Sequence, residues 1–173
     1  MYRHYNHNRY GGNGHFNHRR RNTLVYDPAL FIRKSSEYST QEYIPVHSFS
    51  DFQIHSILKQ NIESMGYKVP TPIQDMAIPP LLEGKDVVGI ATTGTGKTAA
   101  FLIPLINKVL GNDREKVLII TPTRELALQV GQELRELTRA TNIRSVVCIG
   151  GVGMGSQIQG LRRYPNFVVG TPG

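Results

Sequence analysis

The sequence predicts an α/β fold in which a mainly parallel sheet is flanked by helices, and three observations carry that expectation. Short β-rich segments alternate with helical patterns from Phe49 onward. Those segments, DVVGIA (86–91), KVLIIT (116–121), RSVVCIG (144–150) and FVVGT (167–171), are apolar on both faces, as strands buried between helices are. A glycine-rich turn ending in a Lys-Thr pair follows the first of them and opens a helix.

Residues 1–22 stand apart from that pattern. Their five arginines, Arg3, Arg9, Arg19, Arg20 and Arg21, face no acid and account for most of the formal charge of +7 on the 173-residue chain. With few aliphatic side chains the stretch cannot offset its ordering entropy, so it is expected to be disordered. Arg interleaved with Tyr2, Tyr5, Tyr10 and Phe16 suits loose contact with phosphates and stacked bases, and a solubilising tail is the plainer reading. The pairs His4/His7 and His15/His18 have metal-binding spacing but lack cysteine or acid partners nearby. Residues 23–48 read as a linker with one short ordered piece around Leu24–Ile32.

The globular part begins at Phe49. Ser50 and Gln53 have capping-box spacing, Ile54, Ile57, Leu58, Ile62 and Met65 recur at helical intervals, and Gly66 ends the run. Thr71, Pro72 and Gln74 repeat the start signal for a second helix, which Gly84 stops. Further helices are expected from Lys97, from Pro122 (with Leu126, Val130, Leu134 and Leu137 as its apolar stripe) and from about Ser156. The single cysteine, Cys148, excludes an internal disulfide. The longest apolar run, Ala99 to Ile106, falls far short of the roughly 20 residues of a membrane helix. A soluble, cytoplasmic protein is the default expectation.

The turn Ala91-Thr92-Thr93-Gly94-Thr95-Gly96-Lys97-Thr98 has the chemistry of a phosphate-binding loop. Glycines let backbone N–H groups turn inward around a phosphate, and the following helix start adds its partial positive charge. Lys97 would hold the β and γ phosphates of a nucleoside triphosphate, and the Thr98 hydroxyl would ligate Mg²⁺. A plain strand-to-helix turn would leave the Lys-Thr pair without a reason.

Gly66-Tyr67-Lys68-Val69-Pro70-Thr71-Pro72-Ile73-Gln74 resembles the Q motif of the DEAD-box RNA helicases, with Phe49 upstream where that family keeps an adenine-stacking aromatic. The resemblance continues in order. ATTGTGKT (91–98) resembles motif I, PTRELALQ (122–129) motif Ia, Gly150-Gly151 the glycine doublet, and Thr171-Pro172-Gly173 the start of motif Ib. It covers about residues 49–173 and implies a RecA-like P-loop NTPase domain, incomplete at its C-terminal side. It implies ATP and Mg²⁺ as cofactors, with Phe49, Tyr67, Gln74, Thr93, Gly94, Thr95, Gly96, Lys97 and Thr98 on the nucleotide. Lys97 and Thr98 would act in catalysis. RNA is the implied partner, its sugar-phosphate backbone held by Pro122, Thr123, Arg124, Gly151, Thr171, Pro172 and Gly173. The residues alone would make Gln74 the third position of a capping box and Phe49 half of a hydrophobic staple with Ile54. The resemblance favours adenine, because a Gln amide can pair with both N6 and N7.

No Asp-Glu-Ala-Asp occurs in the chain, and the arginine that normally completes motif Ib would follow Gly173. The expectation is therefore the front part of a longer ATP-dependent RNA helicase, inactive without its acidic motif and second RecA-like domain. Two rivals are a non-catalytic module that binds nucleotide or RNA, and another P-loop enzyme such as a nucleotide kinase or GTPase. The guanine-reading Asn-Lys-x-Asp is absent from the sequence.

Overall fold

The computed structural model describes residues 43–172. The basic tail, its histidine pairs, the Leu24–Ile32 piece, most of the linker and Gly173 lie outside the described residues.

Among the described residues five helices and three strands follow one another: α1 (Ser56–Ser64), α2 (Pro72–Leu82), α3 (Lys97–Gly111), β1 (Val117–Ile120), α4 (Arg124–Leu137), β2 (Ser145–Cys148), α5 (Met154–Leu161) and β3 (Phe167–Gly170). The strands form one parallel sheet in the order β1-β3-β2. Their register sets Ile120, Gly170 and Cys148 side by side, so all three carboxyl ends reach one rim. Two glycines let helices close on the sheet. A Cβ at Gly131 of α4 would lie 2.6 Å from Val147, and one at Gly160 of α5 would lie 2.7 Å from Val146. Because Val146 and Val147 are neighbours on one strand, they point to opposite faces, and α4 and α5 therefore cover different sides. The core is built from Leu102, Ile103 and Ile106 of α3, Leu134 and Leu137 of α4, and Phe167 and Val169 of β3, all without measurable exposure. Burial of each Leu or Ile is worth about 1.5–3 kcal/mol.

Helix α2 begins as the sequence indicates: Pro72 is its first residue and the Thr71 N–H donates to Gln74 Oε1 at 2.9 Å. Gly66 and Gly84 end the first two helices in left-handed geometry, with φ of 81° and 79°. Three expectations need correction. The first helix starts at Ser56 rather than after Ser50, and no side chain caps it. Ser50 is instead paired with the Ser48 hydroxyl at 2.6 Å, and Asp51 closes a turn by accepting from Ser48 N at 2.7 Å. Phe52 is buried, which draws residues 50–53 off the helical path and removes the staple expected of Phe49 and Ile54. Helix α4 starts two residues later than Pro122 suggests, because Thr123 is its cap and accepts from Leu126 N at 3.2 Å.

The third correction concerns 86–91, which has strand composition but joins no ladder. Val88 and Ile90 are 92% and 93% exposed. The segment also borders an apolar slot that reaches the open edge of β1, where Leu118 and Ile120 are 68% and 65% exposed. Val87 and Gly89 line one wall of that slot, and Leu118, Ile119 and Ile120 another. A strand is a ladder of hydrogen bonds, and β propensity without a neighbour does not make one.

Candidate nucleotide and RNA site

The loop 91–98 connects the unladdered segment to α3, and its shape rests on two glycines. Gly94 and Gly96 have φ of 79° and 82°, a region costly for residues with a Cβ. Gly96 is also the N-cap of α3, and no side chain caps that helix, so its first-turn N–H groups remain for an anion. Lys97 lies over the loop and donates to the carbonyls of Ala91 and Thr92, both at 2.5 Å. Thr98 follows in the first turn and is half-buried. Thr95 ties the loop internally by donating to the Thr92 carbonyl at 2.8 Å, whereas Thr93 and Gly94 are exposed.

Helix α2 braces this loop from outside. The Thr71 hydroxyl donates to the Thr95 carbonyl at 2.7 Å, and Gln74 Nε2 donates to the Gly96 carbonyl at 3.2 Å. A Cβ at Gly96 would collide with the Gln74 amide. Gln74 is 2% exposed, and its amide is engaged at both ends, by Thr71 N–H and by the Gly96 carbonyl. Its capping role is therefore real. Phe49 is buried, edge-on to Phe52 and stacked on Tyr67 at 5.9 Å. The Tyr67 hydroxyl reaches Glu133 of α4 at 3.2 Å, and burial pushes that carboxyl above its ordinary pKa.

On the opposite side of the slot lies the carboxyl rim of the sheet. Pro122, Thr123, Arg124, Thr171 and Pro172 line one cleft there. Gly151 joins them through Arg124, whose guanidinium lies against the glycine doublet. A Cβ at Gly150 or Gly151 would come within 2.8 Å of its nitrogens. The slot itself is lined by Lys97 and Thr98 as well as by Thr121 and Pro122, so the phosphate loop and the start of the rim share one depression.

Comparison with known proteins decides the family. The DEAD/DEAH box helicase family matches residues 71–173. The chain belongs to that family. It is 45% identical over 128 residues to the DEAD-box ATP-dependent RNA helicase CshA of Bacillus cereus, an overlap of 73% of this chain and 24% of that protein. A crystal structure of a DEAD box protein from the hyperthermophile Methanococcus jannaschii superposes with a TM-score of 0.66 at 38% identity, covering 72% of this chain and 34% of that one. This DEAD-box chain thus spans about a quarter of the curated relative and a third of the structural one. The fold is the expected RecA-like α/β architecture, seen here as a three-stranded parallel sheet with helices. Among the described residues no helix is long and apolar enough to cross a membrane, and no cluster of histidine, cysteine or acidic side chains suits a metal.

One group near the nucleotide side escapes a reading of the sequence. Asp75, next to Gln74, is 3% exposed and accepts hydrogen bonds from Tyr43 and from the backbone of Val46 and His47. Residues 43–48, which read as the end of a linker, are thereby tied to α2. An Asp in the first turn of a helix signals only a favourable dipole contact; nothing local says that it is buried.

Proposed function

We propose that the chain contributes the ATP-binding and part of the RNA-binding machinery of a cytoplasmic ATP-dependent RNA helicase. The observation that carries this reading is the shared depression: Lys97 and Thr98 line it together with Thr121 and Pro122, next to the rim of Thr123, Arg124 and Thr171. Nucleotide chemistry and RNA grip are then mechanically adjacent.

In this reading the backbone amides of Thr93 to Thr98 and the Lys97 ammonium hold the triphosphate. To do so Lys97 exchanges the Ala91 and Thr92 carbonyls for phosphate oxygens, which compensates the loss of its present partners. Thr98 would hold Mg²⁺, whose charge would offset that of the phosphate oxygens, and a hydroxyl suits this oxygen-seeking cation. Gln74 and Phe49, beside Tyr67, select adenine. Arg124, Thr123, Pro122, Gly151, Thr171, Pro172 and Gly173 hold the RNA backbone, leaving bases unread, as an enzyme indifferent to sequence requires. Water is positioned for attack on the γ phosphate by an acidic motif outside residues 1–173, and the slot between 86–91 and β1 receives the strand that leads into it. Catalysis of this kind is chiefly positioning and charge stabilisation.

The test is RNA-dependent phosphate release and displacement of a short duplex by the full-length protein. Gln74→Ala should weaken ATP binding by about 1–3 kcal/mol, the range of one bidentate base contact, and narrow the gap to GTP. An unchanged ATP affinity with a lowered Tm would leave Gln74 as a helix cap only.

A further inference from the structure

The Asp75 carboxylate is almost wholly buried, yet its partners beyond its own helix all belong to one short stretch. Oδ2 accepts from the Tyr43 hydroxyl at 2.6 Å and from Val46 N at 2.7 Å. Oδ1 accepts from His47 N at 3.1 Å and lies 2.6 Å from His47 Nδ1. A buried carboxylate must recover in hydrogen bonds the hydration it has lost, so the donors around it are held to tight positions. What the arrangement does specify is where residues 43–47 sit on α2.

That stretch leads directly to Phe49. His47 packs on Phe52 with ring centroids 5.8 Å apart, Phe52 meets Phe49 edge-on at 5.9 Å, and Phe49 stacks on Tyr67. The residue before Asp75 is Gln74, bonded to the phosphate loop through Gly96. Two successive residues of one helical turn therefore hold the two halves of the adenine-reading pair, Gln74 directly and Asp75 through the strap. We infer that Asp75 is a positioning residue for adenine recognition: by gripping Tyr43, Val46 and His47 it fixes Phe49 at one distance from Gln74 and the loop. The inference rests on the proposal that Phe49 and Gln74 read adenine. Burial by itself would raise the carboxyl's pKa, but the hydrogen bonds from Tyr43, Val46 and His47 outweigh it and hold it at about 2, so the strap is gripped by an ion throughout the neutral range.

The experiment compares the full-length protein with two variants, Asp75→Asn and the double variant Tyr43→Phe/His47→Ala, whose positions on the strap are partly exposed. Affinities for ATP, GTP and inorganic triphosphate are measured by displacement of a fluorescent nucleotide. Loosening the strap should weaken ATP by about tenfold, the order of one charge-assisted hydrogen bond, in both variants. Inorganic triphosphate, which has no base and uses the loop alone, should bind as before, and GTP, whose guanine can stack but not pair with Gln74, should weaken less than ATP. Equal losses for all three ligands would make Asp75 a general structural residue, and unchanged ATP affinity would remove it from recognition; either overturns the inference. If Asp75→Asn does not fold, the double variant decides by the same criteria. An unaltered protein that binds ATP and GTP equally would defeat the adenine reading and this inference with it, whereas a preference kept in the variants defeats the inference alone.

Discussion

The side proposed for the nucleotide and the side proposed for RNA are built in different ways in this domain. The phosphate loop is held by long-range braces: Thr71 and Gln74 of the α2 start reach Thr95 and Gly96 across more than twenty residues, and Asp75 extends the same turn to the strap at 43–47. The rim proposed to hold RNA is held by the sheet. Parallel pairing brings the ends of β1 and β3 level, Thr123 caps its own helix, and the glycine doublet makes room for Arg124. A rim made from ladder ends tolerates local change, while a loop braced by single side chains does not.

The largest expected effect breaks the nucleotide side only. Lys97→Ala in the full-length protein should abolish measurable ATP hydrolysis with the Tm nearly unchanged, because among the described residues the Lys97 ammonium bonds only to the loop's own carbonyls. RNA binding without nucleotide should persist. Turnover near the unaltered rate would remove Lys97 from the chemistry.

A matched pair of glycine substitutions sharpens the contrast. Gly96→Ala and Gly151→Ala both force a Cβ into left-handed geometry, φ 82° and 79°, at about 1–2 kcal/mol each. At Gly96 the new methyl also collides with the braced Gln74 amide, so ATP affinity should fall more than tenfold. At Gly151 it meets the far end of Arg124, which can swing aside. RNA affinity should drop a few-fold there, with ATP affinity unchanged. Calorimetric titration with each ligand distinguishes the two; a Gly151→Ala protein that loses ATP binding would couple the sides more tightly than their construction suggests.

The strap has a pH signature of intermediate size. Because the folded carboxyl of Asp75 titrates at about 2 against an ordinary 3.8, its ionised form stabilises the fold, by on the order of 2 kcal/mol, at every pH above about 4. That contribution should be lost as pH falls from about 4 toward 2. Denaturant melts of unaltered protein and Asp75→Asn should therefore differ at pH 5 and converge near pH 2; a constant difference would place the stabilisation elsewhere.

The basic tail bears on RNA binding alone. Five arginines could each neutralise a phosphate, so removing residues 1–22 should flatten the log–log salt dependence of RNA binding by up to roughly 3.5 units at 0.7 per contact. An unchanged slope would favour the solubilising role.

Much of this was legible in the chain because its signals are local. Helix α2 announces itself through Thr71, Pro72 and Gln74, the loop through its glycines and Lys97-Thr98, and the parallel sheet through strands apolar on both faces. The motif order is local too, and it pointed to the family that comparison then established. Other features needed partners remote in sequence. Ser50 and Gln53 satisfy the capping pattern, yet the burial of Phe52 moved the helix start to Ser56. Residues 86–91 carry β propensity but have no ladder neighbour, so no strand forms. Asp75 reads as an exposed first-turn acid, and only the return of Tyr43, Val46 and His47 buries it. The sequence by itself determined which segments prefer helix or strand and which turn has the glycines and the Lys-Thr pair of a phosphate loop, since these depend on neighbours within a few residues. Only the tertiary structure decided which preferences were satisfied, because burial and hydrogen-bond partnership are supplied by residues that sequence order keeps apart.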